Sequence, residues 1–304
     1  MPVIERDILH KKIVAVCGGD ERELVLMRGF LEKGFEVRAF GQPWALLPDK
    51  VSCAATLREC LYLADALVLP MPGVRENGLI YNTYCHELPL TDEDMSLLAM
   101  GTPVLAGVAS DYLKRLCDKY RLRLLATAEL DEIAVLNAVP TAEGAISLAI
   151  NSSKDLLCGS RAAIIGFGRV AKALAERLAA LGVDIFVANR GGKRRYQAAA
   201  AGYNILDWDD WYKNIFDFIF NTVPAPVIGG EILQAMNPCT VIIDLAAAPG
   251  GTDFNAAREL GIKAILASGL PGKYAPLGAG KILSAVYPSL VINMLNGLSN
   301  DKEW

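Results

Sequence analysis

The sequence predicts an α/β fold made of two doubly wound domains, and three observations predict it. Short apolar runs of strand length alternate with helical stretches along nearly the whole chain, the pattern of parallel sheets covered by helices. Residues 161–171 read Arg-Ala-Ala-Ile-Ile-Gly-Phe-Gly-Arg-Val-Ala, a strand that runs through a glycine turn into a helix. The length of 304 residues corresponds to about two domains of common size. A hydrophobic share of 53% against 21% charged residues describes a chain that buries cores, not a disordered one.

The first domain is expected over residues 1–130. Residues 12–17 form a strand ending in Gly18-Gly-Asp20, then a helix with Leu24, Met27 and Leu31 on one face, then a strand at 36–40. Gly18-Gly19 is not a full dinucleotide fingerprint. It reads as the tight βα turn of a flavodoxin-like domain, with an anion site for a substrate carboxylate as the alternative. Residues 66–70 form a strand that opens into a Gly- and Pro-rich loop at 71–78. Open sheets bind ligands at such carboxyl ends, and Arg75 is the cation there, a candidate for substrate binding. His86 lies in a polar stretch without a partner and receives no role. Thr91 caps a helix, with Asp94 three residues later. Strands at 103–107 and 122–125, with a helix through Leu116, complete the domain.

Residues 131–152 read as a helical connector, largely apolar and interrupted at Val139-Pro140. Thr141 would cap the restarted helix, freeing the N–H groups of Ala142, Glu143 and Gly144 as an anion site. Asn137, Thr141 and Glu143 are candidate substrate residues; an ordinary capped helix between domains is the alternative.

The second domain, residues 153–277, is organised by the fingerprint. Gly166 permits the tight turn, Gly168 lets a pyrophosphate approach the backbone, and Ala171 lets the helix lie close on the sheet. Phe167, Arg169 and Val170 complete the helix start, whose N–H groups and dipole suit a pyrophosphate. This is a Rossmann-like βαβ unit. The next strand ends in Asn189-Arg190, where an NAD site carries Asp or Glu for the ribose 2′-OH. An Arg suits a 2′-phosphate instead, and Lys193, Arg194 and Arg195 add positive charge. The expected cofactor is NADP; a solvated basic loop is the alternative.

Downstream, the aromatic stretch 206–211, with Trp208 and Trp211, reads as half-buried packing. Residues 217–221 form the fourth strand of this sheet, and Thr222, Val223 and Pro224 would pass beside the nicotinamide ribose. Residues 241–245 form the fifth, with Leu245 and Ala246 opening its loop. Residues 263–266 form the sixth, followed by a Gly- and Pro-rich loop carrying Lys273. Three such loops at strand ends on one side of the sheet describe a cofactor site. The final segment, 278–304, is a helix with Ile282, Val286, Leu290 and Met294 on one stripe and a kink at Pro288. It either returns to the first domain or forms an interface between copies of the chain, and a homo-oligomer is expected. Asn300 to Trp304 should fray.

A net charge of −4 argues against a nucleic-acid partner. Seven scattered cysteines without a C-x-x-C pair read as buried free thiols in a reducing cytoplasm, not as disulfides or a metal site. The N-terminus lacks a signal-peptide pattern, and no apolar run approaches transmembrane length. A cytoplasmic protein without a membrane partner is expected.

Residues 139–144 (Val-Pro-Thr-Ala-Glu-Gly), 166–169 (Gly-Phe-Gly-Arg), 249–254 (Pro-Gly-Gly-Thr-Asp-Phe) and 269–272 (Gly-Leu-Pro-Gly, then Ala275-Pro276) together resemble the family of dipicolinate synthase A subunits. The likeness runs from Val14 to the final helix. It implies the architecture of D-2-hydroxyacid and alanine dehydrogenases and an NADP-dependent oxidoreductase component of spore-forming bacteria. Such an A subunit works with a flavoprotein-like B subunit to oxidise dihydrodipicolinate to dipicolinate during sporulation. The reaction moves a hydride from a ring carbon to C4 of NADP⁺ and releases a proton, and aromatisation drives it. For the small dicarboxylate, cations at Arg75, Lys273 or Lys281 and the helix start at Thr141 are expected, with Glu143 accepting the proton and Thr141 as a relay. Two alternatives remain. One is a stand-alone NAD(P)-dependent 2-hydroxyacid or amino-acid dehydrogenase, disfavoured because the only histidines, His10 and His86, lie in the first domain. The other is a non-catalytic protein that senses the nucleotide.

Overall fold

Val14 to Cys17 are apolar on both faces and fully buried, as a central parallel strand requires. This strand, β1 (Ile13–Cys17), starts the first of two contact-defined units. The structure, a computed structural model, describes residues 11–85, 87–213 and 215–297. His10, His86 and the expected frayed tail at Asn300–Trp304 lie outside the described residues. The first unit comprises residues 11–134 with 276–297, the second residues 135–275.

In the first unit β1 is followed by α1 (Glu21–Glu32), β2 (Glu36–Phe40), β3 (Ser52–Cys53), α2 (Leu57–Leu61), β4 (Ala66–Val68), α3 (Asp92–Met95), β5 (Pro103–Ala106), α4 (Asp111–Lys119) and β6 (Arg123–Ala126). The sheet order is β3-β2-β1-β4-β5-β6 and every pairing is parallel. Alternate residues feed two cores. Ala15, Cys17, Leu67 and Val104 meet Cys60, Leu61, Met95 and Leu113 on one face. Val14, Val16, Val37 and Leu105 meet Leu26, Met27 and Phe30 on the other. The buried face of α1 is therefore Leu26, Met27 and Phe30 with Arg22 and Glu23, not Leu24 and Leu31, which stay half-buried. Thr91 does cap α3, through a box with Asp94 in which each side chain takes the other's backbone N–H.

Next, α5 (Asp131–Ser152) is one unbroken helix of 22 residues with Pro140 inside it, so the expected restart does not occur. Its small residues Ala138, Ala142, Ala145 and Ala149 lie buried on one face, on both sides of the proline. Thr141 Oγ1 donates back to the Asn137 carbonyl at 2.7 Å, a bond of the helix interior rather than a cap. The N–H groups of Ala142, Glu143 and Gly144 are thus inside the helix, and the anion site expected there is overturned.

The second unit continues with β7 (Arg161–Ile165), α6 (Arg169–Ala180), β8 (Asp184–Ala188), α7 (Gly192–Ala200), β9 (Asn204–Ile205), β10 (Phe218–Asn221), α8 (Gly230–Gln234), β11 (Val241–Asp244), α9 (Phe254–Glu259), β12 (Lys263–Leu266) and α10 (Leu270–Tyr274). Its order, β12-β11-β10-β7-β8-β9, is again all parallel and reverses beside the first strand. Between β9 and β10 the chain makes a 3-10 turn, Trp208–Lys213.

Finally, α11 (Pro276–Leu295) packs along α1 in the first unit, which selects the first of the two readings of this helix. Its buried face is Leu283, Tyr287, Leu290, Val291 and Met294; Ile282 and Val286, expected on that stripe, are half-buried. The reason is anchoring: Tyr287 Oη meets Thr127 Oγ1 at 2.5 Å, and Arg123 donates to the Met294 carbonyl, which rotate the helix toward 287 and 294. Two expectations from the sequence are corrected here. Both α5 and α11 are long and apolar enough to cross a membrane, at mean hydropathy 1.6 and 1.2, and 44% of each stretch is buried inside the protein. Cys158 and Cys239, expected buried, are exposed, whereas Cys17, Cys60 and Cys117 are buried.

Candidate functional site

Each sheet has a switch point, between β1 and β4 and between β7 and β10, where an open α/β sheet forms its crevice. The backbone at the two differs. In the first unit Gly18 N–H donates to the Phe40 carbonyl and Gly19 N–H to the Tyr81 carbonyl, both at 2.8 Å. Asp20 N–H donates to Glu23 Oε2 at 2.7 Å. All three donors are committed, so the alternative anion site at Gly18-Gly19 is overturned. Asp20 in turn accepts two bonds from the buried Arg22 guanidinium, at 2.9 and 2.8 Å. Burial pushes the Glu23 carboxyl up to about 7; Arg22 pulls it down and Asp20 pushes it up. Burial likewise pushes the Tyr84 hydroxyl up to about 12.

The second unit has the opposite arrangement. Gly166 adopts φ +95°, and a Cβ there would collide with Thr222 Oγ1. Thr222 Oγ1 donates to the Ile165 carbonyl at 2.8 Å, so this side chain buttresses the turn. Gly168 is the N-cap of α6, and no side chain accepts from the first turn. A Cβ on Gly168 would meet nothing within 4 Å. That open space over a helix N-terminus free of side-chain caps fits a pyrophosphate. Ala171 is fully buried, as the third fingerprint position requires.

Beside this turn is a cavity of about 470 Å³, within the range of ligand pockets. Of the expected cofactor residues, Gly166, Asn189, Arg190, Lys193, Arg194 and Val223 line it. Among the described residues no carboxylate does. Gly191, the N-cap of α7, lines the cavity too, and no side chain caps this second helix start. Asn189 Oδ1 accepts from Gly191 N–H at 2.8 Å and shapes the bend. Phe167, Gly168, Arg169, Val170, Thr222, Pro224, Leu245 and Ala246 do not line this cavity. Phe167 is buried edge-on against Tyr203, so only its backbone belongs to the turn. Arg169 and Val170 open α6, Pro224 is exposed, and Leu245 packs on the core.

The loops after β10 and β11 are tied together by Asp244, which is fully buried. Its carboxylate accepts from Asn221 Nδ2 (3.0 Å), Ala246 N–H (3.1 Å), Gly251 N–H (2.8 Å) and Thr252 Oγ1 (2.7 Å). Gly251 runs so close to the Ala225 carbonyl that a Cβ would collide with it. The 249–253 motif therefore braces the loops after β10 and β11 against each other, and Ala246 N–H is spent on it.

The expected substrate residues are spread over both units. Arg75 sits exposed in the loop after β4 of the first unit. In the second, α5 packs on α10 at Gly144, where a Cβ would come within 2.9 Å of Leu270. This brings the turn with Thr141 and Glu143 beside the helix carrying Lys273; Glu143 and Lys273 are exposed. Asn137 Oδ1 is buried without a partner. Among the described residues no three His, Cys, Asp or Glu side chains cluster as metal ligands.

Trp208 is the site residue that the sequence reading missed. It lines the cavity, with the Arg190 guanidinium 5.3 Å from its ring centroid. The signal was positional: β9 pairs in parallel with β8, so the loops after these two strands are neighbours. With only two residues, β9 was too short to read.

Comparison with known proteins agrees with this geometry. Residues 13–128 match the family described as the N-terminal domain of the dipicolinate synthase A subunit. Residues 143–250 match the D-isomer specific 2-hydroxyacid dehydrogenase, NAD binding domain. The dipicolinate synthase A subunit of Bacillus subtilis (strain 168) is 31% identical over 284 residues, 91% of this chain and 95% of that one. The crystal structure of the corresponding Bacillus halodurans protein superposes with a TM-score of 0.87 at 32% identity, over 92% of this chain and 97% of that one. Alanine dehydrogenase, at TM-score 0.63 and 14% identity over 93% of this chain and 90% of that one, shares the fold. With a dehydrogenase-type dinucleotide domain behind a matching N-terminal domain, and this identity along nearly its whole length, the chain belongs to the family of dipicolinate synthase A subunits.

Proposed function

We propose that this chain is the NADP-dependent catalytic component that oxidises dihydrodipicolinate to dipicolinate, in the cytoplasm and with a B subunit. The observation that carries the cofactor choice is the cavity wall: Arg190, Lys193 and Arg194 at the end of β8 and start of α7, and no acidic side chain among the described residues. A ribose 2′-OH would find no carboxylate there, whereas a 2′-phosphate would find a planar guanidinium, two further cations and a helix N-terminus. Bound NADP⁺ supplies a hydride acceptor. The protein's own part is alignment and proton removal. The first turn of α6 holds the pyrophosphate, and the loops braced by Asp244 fix the rest of the dinucleotide. Glu143, exposed on the stretch of α5 that also carries Asn137 and Thr141, accepts the proton that leaves as the ring becomes aromatic. Thr141 is left out of the relay, since its proton is held by the Asn137 carbonyl. Lys273 offers the charge for a substrate carboxylate.

The test is reduction of cofactor by the purified chain, alone and with its B subunit, using freshly made dihydrodipicolinate. Wild type should reduce NADP⁺ in preference to NAD⁺. Arg190→Ala should lose the NADP⁺ rate selectively, and Glu143→Gln should lose turnover with cofactor affinity unchanged. Equal use of both cofactors by wild type, with equal losses in Arg190→Ala, would contradict the 2′-phosphate reading. Normal turnover of Glu143→Gln would remove that carboxylate from the chemistry.

A further inference from the structure

An exposed arginine on a strand end is a poor specificity element unless something holds it, because its rotamers must be frozen on binding. Here something does. The Arg190 guanidinium carbon stands 5.3 Å from the Trp208 ring centroid, within cation–π range. Trp208 is itself fixed from behind. It meets Trp211 edge-to-face at 5.9 Å and 79°, and Trp211 meets Phe216 at 5.6 Å and 68°. Phe216 meets Phe186 of β8 at 5.4 Å and 68°. Trp211 and Phe216 are 5% and 4% exposed, so the series starts in the core and ends at the cavity wall. The residue before Trp208, Asp207, is ion-paired with Arg195 of α7, which ties the same loop to the basic helix.

We propose that Trp208 is a positioning residue for cofactor selectivity: its ring holds the Arg190 guanidinium in place for a 2′-phosphate. The proposal rests on the NADP reading above and adds how the selectivity is set. A tryptophan that merely packs the loop, or that serves as a platform for adenine, would affect NADP and NAD alike, since both share everything except the 2′-phosphate. A tryptophan acting through Arg190 affects NADP alone, and only while Arg190 is present.

The experiment is titration of NADP⁺ and NAD⁺ into wild type, Trp208→Leu, Trp208→Phe, Arg190→Leu and Trp208→Leu/Arg190→Leu. Melting temperature serves as the folding control, and Trp208→Met as a second variant without a π face should Trp208→Leu not fold. Trp208→Leu should weaken NADP⁺ about three- to fivefold, the scale of one partly exposed cation–π contact, and leave NAD⁺ unchanged. Trp208→Phe should restore most of the loss. In the Arg190→Leu background, Trp208→Leu should change neither affinity. Equal weakening of both cofactors, or an undiminished effect without Arg190, would overturn the proposal. If wild type binds the two cofactors equally, the NADP reading fails and takes the proposal with it. If wild type prefers NADP⁺, Arg190→Leu abolishes the preference and Trp208→Leu retains it, then only the role of Trp208 falls.

Discussion

The first βα turn of each unit follows the first strand of a six-stranded parallel sheet with the same strand order, and the two turns do opposite things. At Gly18-Gly-Asp20 every N–H is bonded to the protein, and the helix behind it opens with acidic residues. At Gly166-Phe-Gly168 the α6 start has no acidic residue and no side-chain cap, and it has open space above Gly168. Topology therefore places a crevice in both units, but only the second has a helix start without a side-chain cap, the arrangement that suits an anion. The difference lies in a few residues: Asp20 and Glu23 close one turn, and the second glycine leaves the other open.

Each unit also holds a buried carboxylate, Glu23 at the first turn and Asp244 between the loops after β10 and β11, and that offers the strongest way to break the comparison. Asp244→Ala leaves four donors in the interior without an acceptor. It should lower stability by about 3–5 kcal/mol, since each buried donor left unsatisfied costs about 1–3 kcal/mol before the loops relax, read as a shift in the urea midpoint. A shift within that of an ordinary surface variant would mean that the cofactor loops do not depend on this brace.

Glu23 predicts a pH effect of known sign. Its unfolded carboxyl ionises near 4.5, but in the fold burial holds it protonated to about 7. Between these values the unfolded chain releases the proton and the folded chain does not, so rising pH favours unfolding. The Glu23 contribution is thus greatest below 4.5, declines through about 7 and is level above. Arg22 and Asp20 from its own helix start face it, together with Tyr287 of α11 and Tyr81 and Tyr84 of the loop after β4. Wild type measured against Glu23→Gln should lose on the order of 3–4 kcal/mol across this window, at about 1.4 kcal/mol for each tenfold change in the ionisation constant. Parallel profiles for the two proteins would show that Glu23 ionises normally.

A pair of glycine substitutions sharpens the same contrast with smaller effects. Gly19→Ala forces a Cβ onto the Glu23 carboxylate at φ +104° and should cost about 1–3 kcal/mol of stability, with NADP⁺ affinity unchanged. Gly168→Ala meets no protein atom and should fold as wild type, yet weaken NADP⁺ about tenfold, equivalent to about 1.4 kcal/mol. The reverse pattern would exchange the roles assigned to the two turns.

Much of this was legible in the sequence, and the gaps have physical causes. The fingerprint residues 166–171 and the basic segment after Asn189 are local signals, and both stand where their spacing puts them. Pro140 misled because a proline in a helix is read as a break, while buried alanines on one face of α5 outweigh a single missing hydrogen bond. The 249–253 glycines were read as a cofactor loop, but their partners, Asn221, Val223 and Ala225, lie on another strand end that pattern alone does not pair with them. Trp208 was hidden for a similar reason, since its place beside Arg190 is set by a two-residue strand.

The most direct test is amide hydrogen exchange with and without saturating NADP⁺. Slowed exchange at 165–171 and 189–194, with none at 17–23, is the predicted result. Protection at 17–23, or protection at both turns, would contradict the account, because the N–H groups of Gly18, Gly19 and Asp20 are already bonded within the protein.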